Sequence, residues 1–371
     1  MSAYEDLCSA LAIALTARVP VVLWGGPGVG KTSVVGQIAE TRGWHLETVI
    51  ASICDPTDFK GMPRDAGDRT TFLPPEWAVR VAEAGGGLVF LDEISTAPPS
   101  VQAALLRPVL TGIVGDLVLP LSTRFVAAAN PPDTAADGWE LSAPLANRFV
   151  HLDWDVPASV IAEGFTYGFA PIAIPSIDPL VAQTRTDEVR RMIGAFAGAR
   201  PELMHRMPDA ATERGRAWPS PRSWEFASLL VGHARAAGAS KGVARLLLSG
   251  CVGKSAASEF LAWERALDLP NVETALRNNG VIEVPATPDR VVAMCGGLVA
   301  AVKQDPTKQR CAAAVNGVLV AVAVAGHVDL ATVALRRIAS EVKAAGAALS
   351  PEAVAHFGGI LSRMGTLKAS A

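Results

Sequence analysis

The glycine-rich loop that follows the first apolar run is the feature that most constrains this chain. The run Val21–Trp24 is typical of a buried parallel strand, and the residues from Ser33 to Thr41 predict a helix. The loop between them fits the spacing G-x-x-x-x-G-K-T, with the matching positions at Gly25, Gly30, Lys31 and Thr32. A strand, such a loop and a helix in this order indicate a phosphate-binding loop.

The residue types of this loop suit the chemistry of nucleotide phosphates. Glycines let backbone N–H groups turn toward phosphate oxygens, and the start of a helix adds a positive dipole end. Lys31 is expected to reach the β- and γ-phosphates, and Thr32 to place its hydroxyl on Mg²⁺. The alternative is a glycine-rich turn that binds nothing, which the flanking strand and helix disfavour. The predicted nucleotide-binding residues are Gly25, Gly26, Pro27, Gly28, Val29, Gly30, Lys31, Thr32 and Ser33.

Two acids follow a second apolar run, and they form the other half of the predicted site. The run from Leu88 to Leu91 predicts a strand that ends in Asp92 and Glu93. We expect the carboxyl end of this strand to lie beside the phosphate loop, where Asp92 holds Mg²⁺ and Glu93 polarises the attacking water. Two solvated acids after a core strand are the alternative.

A polar residue and an arginine come next along the chain. Asn130 ends the apolar run 124–129, where it could hold the catalytic water; a simple Asx turn before proline is the alternative. Arg148 precedes the run 151–154, a predicted last core strand. It is interpreted either as a surface salt-bridge residue or as an arginine finger that stabilises charge on a transferred phosphoryl group.

The pattern of the chain changes after residue 170, where strand-like runs stop and helical periodicity takes over. With 371 residues the chain is long enough for two or three domains. We predict an α/β core over 1–170, a helical lid over 171–267 and a helical region of unknown role over 268–371. The segment from Asp55 to about Leu73 is turn-rich and polar and predicts an irregular loop, either a flexible surface insertion or a functional loop. Predicted helices cover 180–199, 224–237, 242–267, 289–304, 309–326, 330–345 and 351–364.

Composition excludes several classes of protein. A net charge of −3 gives no general attraction to nucleic acid or anionic membranes, and the five scattered cysteines predict neither a zinc site nor a disulfide framework. The first residues are acidic and lack a basic segment, so no signal peptide is expected. The most apolar run, 311–326, is shorter than the ~20 residues of a spanning helix and predicts a buried helix. We therefore expect a cytoplasmic protein with no membrane partner.

The order of these motifs resembles that of the AAA+ ATPases, and within them the MoxR group. The resemblance is strong over roughly 1–155 and loose over 185–262. It rests on short runs of residues: 72–75 (FLPP), 91–99 (LDEISTAPP), 101–106 (VQAALL), 128–131 (AANP) and 145–149 (LANRF). Two departures are Ser95-Thr96, where many relatives have Asn-Arg, and Asn147, where they commonly have Asp.

The resemblance implies a role for each of these residues. Thr32 and Asp92 would serve Mg²⁺, Glu93 would activate water, and Asn130 would be the sensor at a strand end. Arg148 would act on the ATP of a neighbouring subunit, and Arg222 would be the sensor arginine of the lid. The same resemblance implies ATP as the nucleotide, a hexameric homo-oligomer and a partner protein with a von Willebrand factor A domain.

Two hypotheses about function follow. The first is an ATP-hydrolysing ring ATPase of MoxR type that remodels a partner protein or inserts a metal or cofactor into it. The second is a nucleotide-gated binding switch with little turnover, which the water-activating Glu93 disfavours. A GTPase is disfavoured because the chain has no N-K-x-D guanine motif, and a small-molecule kinase is disfavoured because a glutamate directly after Asp92 favours hydrolysis over transfer to a substrate. A nucleic-acid partner is also disfavoured, because acids dilute the basic residues of the C-terminal helices.

Overall fold

The strands of the protein fall into one parallel sheet and two small hairpins. The computed structural model describes residues 3–131, 139–266 and 269–363. Within these ranges the strands are β1 Val21–Trp24, β2 Leu46–Ile50, β3 Met62–Asp65, β4 Thr70–Leu73, β5 Leu88–Asp92, β6 Ile113–Val114, β7 Leu117–Val118, β8 Arg124–Ala129 and β9 Val150–Asp153.

Helices account for most of the remaining described residues. Those of the first part of the chain are α1 Ala3–Thr16, α2 Lys31–Arg42, α3 Thr57–Lys60, α4 Glu76–Glu83, α5 Pro99–Thr111, α6 Ala143–Ala146, α7 Ala158–Tyr167, α8 Pro179–Ala199 and α9 Ala211–Arg214. The later ones are α10 Pro221–Ala236, α11 Lys241–Val252, α12 Lys254–Ala266, α13 Val272–Arg277, α14 Pro288–Gln304, α15 Lys308–Ala313, α16 Val320–Val324, α17 Val328–Ala344 and α18 Pro351–Arg363.

The central sheet has five parallel strands in the order β2-β5-β8-β1-β9. All four residues of β1 are buried, as are the first four of β5, which explains why both strands appear as unbroken apolar runs in the sequence. Helices connect successive strands, and a core of apolar side chains from β1, β5, β8 and the packed helices fills the space around the sheet. The predicted α/β class with a helical C-terminal part is confirmed.

Two compact units divide the chain. One is built from the residues up to Thr186 together with Glu202–Glu259, and it contains the whole sheet. The other is built from Asp187–Pro201 together with the residues from Phe260 onward, and it is helical with its own apolar core. The three-part division at 170 and 267 stays a prediction, and residues 267 and 268 of its second boundary lie outside the described ranges.

The segment predicted as an irregular loop before Leu73 is instead ordered. It contains α3 and an antiparallel hairpin in which Met62 pairs with Leu73 and Asp65 with Thr70. The turn is made by Gly67, whose φ is 88° and whose N–H donates to Asp65 Oδ1 at 2.8 Å. The prediction was wrong because all four residues of β3 are exposed, so the sequence lacks the alternation of apolar and polar residues that predicts a strand.

The single helix predicted over 242–267 is broken in two. Gly253 has a φ of 82° and separates α11 from α12. A Cβ at this position would lie 2.8 Å from the Ala217 carbonyl oxygen, so close backbone packing as well as the left-handed φ requires glycine. The predicted end of this helix, Leu267, lies outside the described residues.

The apolar run from Cys311 is helical, as predicted, and most of it is buried. It comprises α15, a π-helical stretch at Ala314–Leu319 and α16. The π-helical stretch passes Gly280, and Gly317 and Gly280 approach so closely that an added Cβ at either would meet backbone within 2.6 Å. Among the described helices, none is long and apolar enough to cross a membrane.

Candidate functional site

The phosphate loop joins β1 to α2 and depends on glycine at two kinds of position. Gly28 and Gly30 have φ values of 78° and 85°, which L side chains rarely adopt. Gly25 is constrained differently: an added Cβ would lie 2.6 Å from the carbonyl oxygen of Trp154, the residue after β9. Gly30 is also the N-cap of α2, so the loop ends at the positive end of a helix.

Lys31 is a buried ammonium held by neutral groups. Its Nζ donates to the carbonyl oxygens of Gly25 and Gly26, at 2.5 and 2.9 Å, and to Asn130 Oδ1 at 3.1 Å. In the described part of the chain no carboxylate forms an ion pair with it. Burial lowers the pKa of Lys31 from its ordinary value, and the negative charge of Asp92 opposes this shift. A buried cation without an anionic partner is a ready site for phosphate.

Asp92 and Thr32 meet across the top of the sheet. Thr32 Oγ1 donates to Asp92 Oδ2 at 3.4 Å. β8 lies between β5 and β1, so the strand that carries Asp92 is not the direct neighbour of the strand that leads into the phosphate loop. Thr32, at the start of α2, extends past the end of β8, so its hydroxyl oxygen meets the Asp92 carboxylate although β1 and β5 are not neighbours.

Asn130 follows the intervening strand and links Lys31 to Ser95, which lies just beyond the two acids in sequence. Its Oδ1 accepts from Lys31, and its backbone N–H donates to Ser95 Oγ at 3.0 Å. Ser95, which departs from the MoxR-like pattern, is buried and so anchors the backbone of Asn130. The structure therefore forms two hydrogen-bonded pairs at this end of the strands, Lys31 with Asn130 and Thr32 with Asp92.

Glu93 has an unusual backbone conformation and a partner that sequence reasoning missed. Its φ of 55° is left-handed, although it is not glycine, and its Oε2 accepts from Ser52 Oγ at 2.6 Å. Ser52 lies just beyond β2, and β2 pairs with β5 so that Ile50 faces Asp92. The contact between Ser52 and Glu93 follows from the pairing of β2 with β5, and nothing in the sequence around Ser52 predicts it.

The two arginines predicted from the resemblance lie near each other. Arg148 donates to the Pro144 carbonyl oxygen, and its Nε is buried without a partner. Burial lowers the pKa of Arg148, and the positive charge of Arg222 lowers it further. Arg222 is exposed. No hydrogen bond or ion pair joins either arginine to the phosphate loop within the residues that the structure covers.

Asn147 connects the arginine-bearing turn to α10. It is buried, its Oδ1 accepts from Ser220 Oγ at 2.8 Å and from Arg222 Nη1 at 3.5 Å, and its Nδ2 donates to the Trp218 carbonyl oxygen at 3.4 Å. Ser220 is the N-cap of α10 in a reciprocal capping arrangement with Ser223. An aspartate at 147 lacks the N–H donor, so asparagine suits this contact better than the Asp of the MoxR-like pattern.

Trp24, the residue before the phosphate loop, belongs to a second hydrogen-bonded group that the sequence did not predict. Trp24 Nε1 donates to His151 Nδ1 at 2.9 Å, and His151 Nε2 lies 2.9 Å from the Ala146 carbonyl oxygen. These contacts fix a neutral ring with its proton on Nε2. Burial is the main reason that the pKa of His151 falls to about 4. The Arg216 guanidinium lies 4.2 Å above the Trp24 ring and pairs with Asp153 at 2.7 Å.

Comparison with known proteins agrees with this geometry. Residues 20–149 match the family described as AAA domain, dynein-related subfamily. Similar curated proteins are the transcriptional regulatory protein XylR of Pseudomonas putida, 28% identical over 141 residues, and the phenol regulator MopR of Acinetobacter guillouiae, 31% identical over 136 residues. Each match covers 34% of this chain and 24% of the relative. Midasin of Giardia intestinalis is 28% identical over 156 residues, which are 39% of this chain and 3% of midasin.

Two solved structures are similar at lower identity. A candidate ATPase from Cytophaga hutchinsonii is 16% identical with a TM-score of 0.39, over 66% of this chain and 79% of that one. A full-length MCM homologue from Methanopyrus kandleri is 18% identical with a TM-score of 0.34, over 68% and 54%. The chain spans a quarter or less of the length of the curated relatives that it matches. The match to the AAA-domain family covers β1, β2, β5 and β8, four of the five strands of the parallel sheet, together with the phosphate loop.

Proposed function

We propose that the protein is an ATP-hydrolysing AAA+ ATPase of MoxR type, which assembles into a ring and remodels a partner protein or inserts a metal or cofactor into it. The observation that carries this proposal is the buried Lys31 ammonium, whose hydrogen-bond partners among the described residues are all neutral oxygens. Such a charge is costly unless an anion shares its site. The adjoining glycine loop and helix start are where phosphates bind in proteins.

The donor set also fits magnesium. Thr32 Oγ1 and the Asp92 carboxylate lie within 3.4 Å of each other, and a hydroxyl with one carboxylate is a common protein share of a Mg²⁺ site that keeps several waters. Mg²⁺, when bound, neutralises phosphate charge. Asp92 and Thr32 would hold it, Lys31 would hold the phosphates, and Asn130 would keep the lysine directed at them.

Glu93 is proposed as the base that polarises the attacking water. It directly follows Asp92, the residue proposed to hold Mg²⁺, and its backbone N–H donates to Asp92 Oδ1 at 2.9 Å, which holds the Asp92 carboxylate against the Glu93 backbone. The left-handed backbone at Glu93 directs this side chain away from the path of the strand. A strained conformation is retained where the surroundings hold it, and active sites are common among such places.

The arginines support assembly. Arg148 makes no contact with the loop of its own chain among the described residues, and its buried Nε has no partner. We propose that Arg148 completes the site of a neighbouring subunit and that Arg222, on the lid proposed for 171–267, senses the γ-phosphate. A hexamer, a partner with a von Willebrand factor A domain and a cytoplasmic location rest on the resemblance and the composition alone.

A second candidate function is a nucleotide-gated switch with little turnover. The observation that favours it is the 2.6 Å hydrogen bond from Ser52 to Glu93, which engages the carboxylate that a water would need. In such a switch, release of Glu93 from Ser52 would depend on a bound partner.

Phosphate release at saturating ATP and Mg²⁺ tests the proposal, with Lys31→Ala and Glu93→Gln as variants. We expect wild type to turn over, Lys31→Ala to lose nucleotide binding, and Glu93→Gln to bind ATP but hydrolyse it at less than about a hundredth of the wild-type rate. Wild type that binds ATP without turnover would favour the switch. Wild type that binds no nucleotide would contradict both candidates.

A further inference from the structure

Three arginines lie close together, two of them against the Trp44 ring, and neither candidate function uses them. Arg18 follows α1, Arg42 is the last residue of α2, and Arg124 is the first residue of β8. The Arg124 guanidinium carbon lies 3.9 Å from the centre of the Trp44 ring, and that of Arg42 lies 5.7 Å from it. We call these residues the arginine cluster.

Among the described residues, the hydrogen bonds of the arginine cluster all go to neutral carbonyl oxygens. Arg124 Nε donates to the Leu15 carbonyl oxygen at 2.9 Å and its Nη1 to that of Ser122 at 2.5 Å, while Arg18 Nη1 donates to that of Leu121 at 3.1 Å. Arg42 makes no hydrogen bond to any residue in the ranges that the structure describes. Nor does a carboxylate in those ranges form an ion pair with any of the three.

The positive charges therefore act on one another without an acid between them. Burial lowers the pKa of Arg124, and the charges of Arg18 and Arg42 lower it further. The C-terminal ends of α1 and α2 contribute about half a negative charge each, which offsets only part of the three positive charges. The remaining positive potential is available to an anion from outside this part of the chain.

This anion is not the nucleotide of the phosphate loop. Arg18 precedes β1 and Arg124 begins β8, so the cluster lies at the amino-terminal ends of the parallel strands, whereas the phosphate loop follows the carboxyl-terminal end of β1. The four residues of β1 separate these two ends by about 13 Å.

We propose that the arginine cluster and Trp44 bind a short acidic segment of a partner protein, in which clustered carboxylates accompany an apolar side chain. The free fork of Arg42 matches a carboxylate in two parallel hydrogen bonds. Leu121, 88% exposed beside the cluster, and the half-buried indole of Trp44 provide apolar surface for the neighbouring side chain. The C-termini of α1 and α2 place the partial negative charge of their carbonyl groups near the cluster. This charge repels a doubly charged phosphate more strongly than a singly charged carboxylate.

Fluorescence anisotropy of a labelled peptide of six glutamates and one leucine tests this proposal at low ionic strength. The variant is Arg42→Ser, chosen because the side chain makes no hydrogen bond that the fold would lose. Arg107→Ser is the matched control, since Arg107 is an exposed arginine near the end of α5 and its loss changes the net charge equally.

We expect the peptide to bind wild type, Arg42→Ser to weaken binding at least about fivefold, and Arg107→Ser to leave it within about twofold. Arg42→Lys should recover only part of the affinity, because lysine keeps the charge but not the fork. Equal losses in the two serine variants, or no binding by wild type, would overturn the proposal. So would a single-stranded oligonucleotide of equal charge that binds more tightly than the peptide and depends on Arg42. ATP hydrolysis by Arg42→Ser should match that of wild type, which separates this surface from the nucleotide site.

Discussion

Protonation of His151 should weaken the fold and the phosphate loop together at acid pH. The ring accepts a hydrogen bond from Trp24 through Nδ1 and lies within hydrogen-bonding distance of the Ala146 carbonyl oxygen through Nε2. A second proton on Nδ1 would place two donors face to face and break the contact with Trp24. Because Trp24 leads directly into Gly25, we expect this break to disturb the loop that binds phosphate.

The magnitude follows from the pKa of His151, which burial lowers from an ordinary 6.5 to about 4. Between these values the unfolded chain binds a proton at this position and the folded chain does not, so stability falls as the pH falls through this window. The full difference corresponds to about 3 kcal/mol, none of it lost above pH 6.5 and all of it lost below about pH 4.

The assay is urea unfolding followed by tryptophan fluorescence at pH 7.5, 6.5, 5.5 and 4.5, for wild type and for His151→Gln. Glutamine can still donate to the Ala146 carbonyl oxygen but does not titrate. We expect wild type to be the more stable at pH 7.5 and its advantage to shrink progressively below pH 6.5. Profiles that stay parallel across this range would refute the reasoning, as would a histidine titration by NMR in which every ring protonates near pH 6.5.

Four further substitutions probe the site. Gly25→Ala should lower the free energy of unfolding by about 1–3 kcal/mol, because its Cβ would lie 2.6 Å from a carbonyl oxygen, whereas Gly26→Ala, with open space around its Cβ, should be nearly neutral in chemical denaturation. Lys31→Met should abolish ATP binding in calorimetry while leaving the stability of the nucleotide-free protein equal or higher, since it removes a buried charge; a large loss of stability would contradict this. Ser52→Ala should change the steady-state rate of ATP hydrolysis several-fold without changing ATP affinity, because its hydroxyl binds the Glu93 carboxylate and not the loop; an unchanged rate would mean that this bond has no role in turnover.

Local sequence patterns were enough to predict the strands whose ends carry the candidate site residues. The glycine spacing, the apolar runs and the polar residues that end them depend on neighbours in sequence, so β1, β5, β8 and β9 form close to where they were expected. The buried lysine follows from the same loop. What the sequence could not show was that β8 lies between the two strands of the site, because strand order is set by packing among distant segments.

The supporting residues depend on contacts between distant parts of the chain. Ser52 reaches Glu93 across 41 positions, and Trp24 reaches His151 across 127. Nothing beside either residue in sequence predicts its partner, and burial, which is the main cause of the lowered pKa of His151, also depends on distant parts of the chain. Local conformation failed for a different reason at Gly253, where a left-handed glycine interrupts an otherwise continuous helical pattern.

Mixing two inactive variants tests most directly whether this is an ATPase whose sites are completed between subunits. Arg148→Ala keeps an intact phosphate loop, and Lys31→Ala keeps the arginine; each alone should hydrolyse ATP at a small fraction of the wild-type rate. If Arg148 acts on a neighbouring subunit, an equal mixture should recover up to about a quarter of the wild-type rate per subunit, because about a quarter of the interfaces then pair an intact loop with an intact arginine. A mixture no more active than the two variants measured apart, under conditions where the subunits exchange, would contradict the shared site.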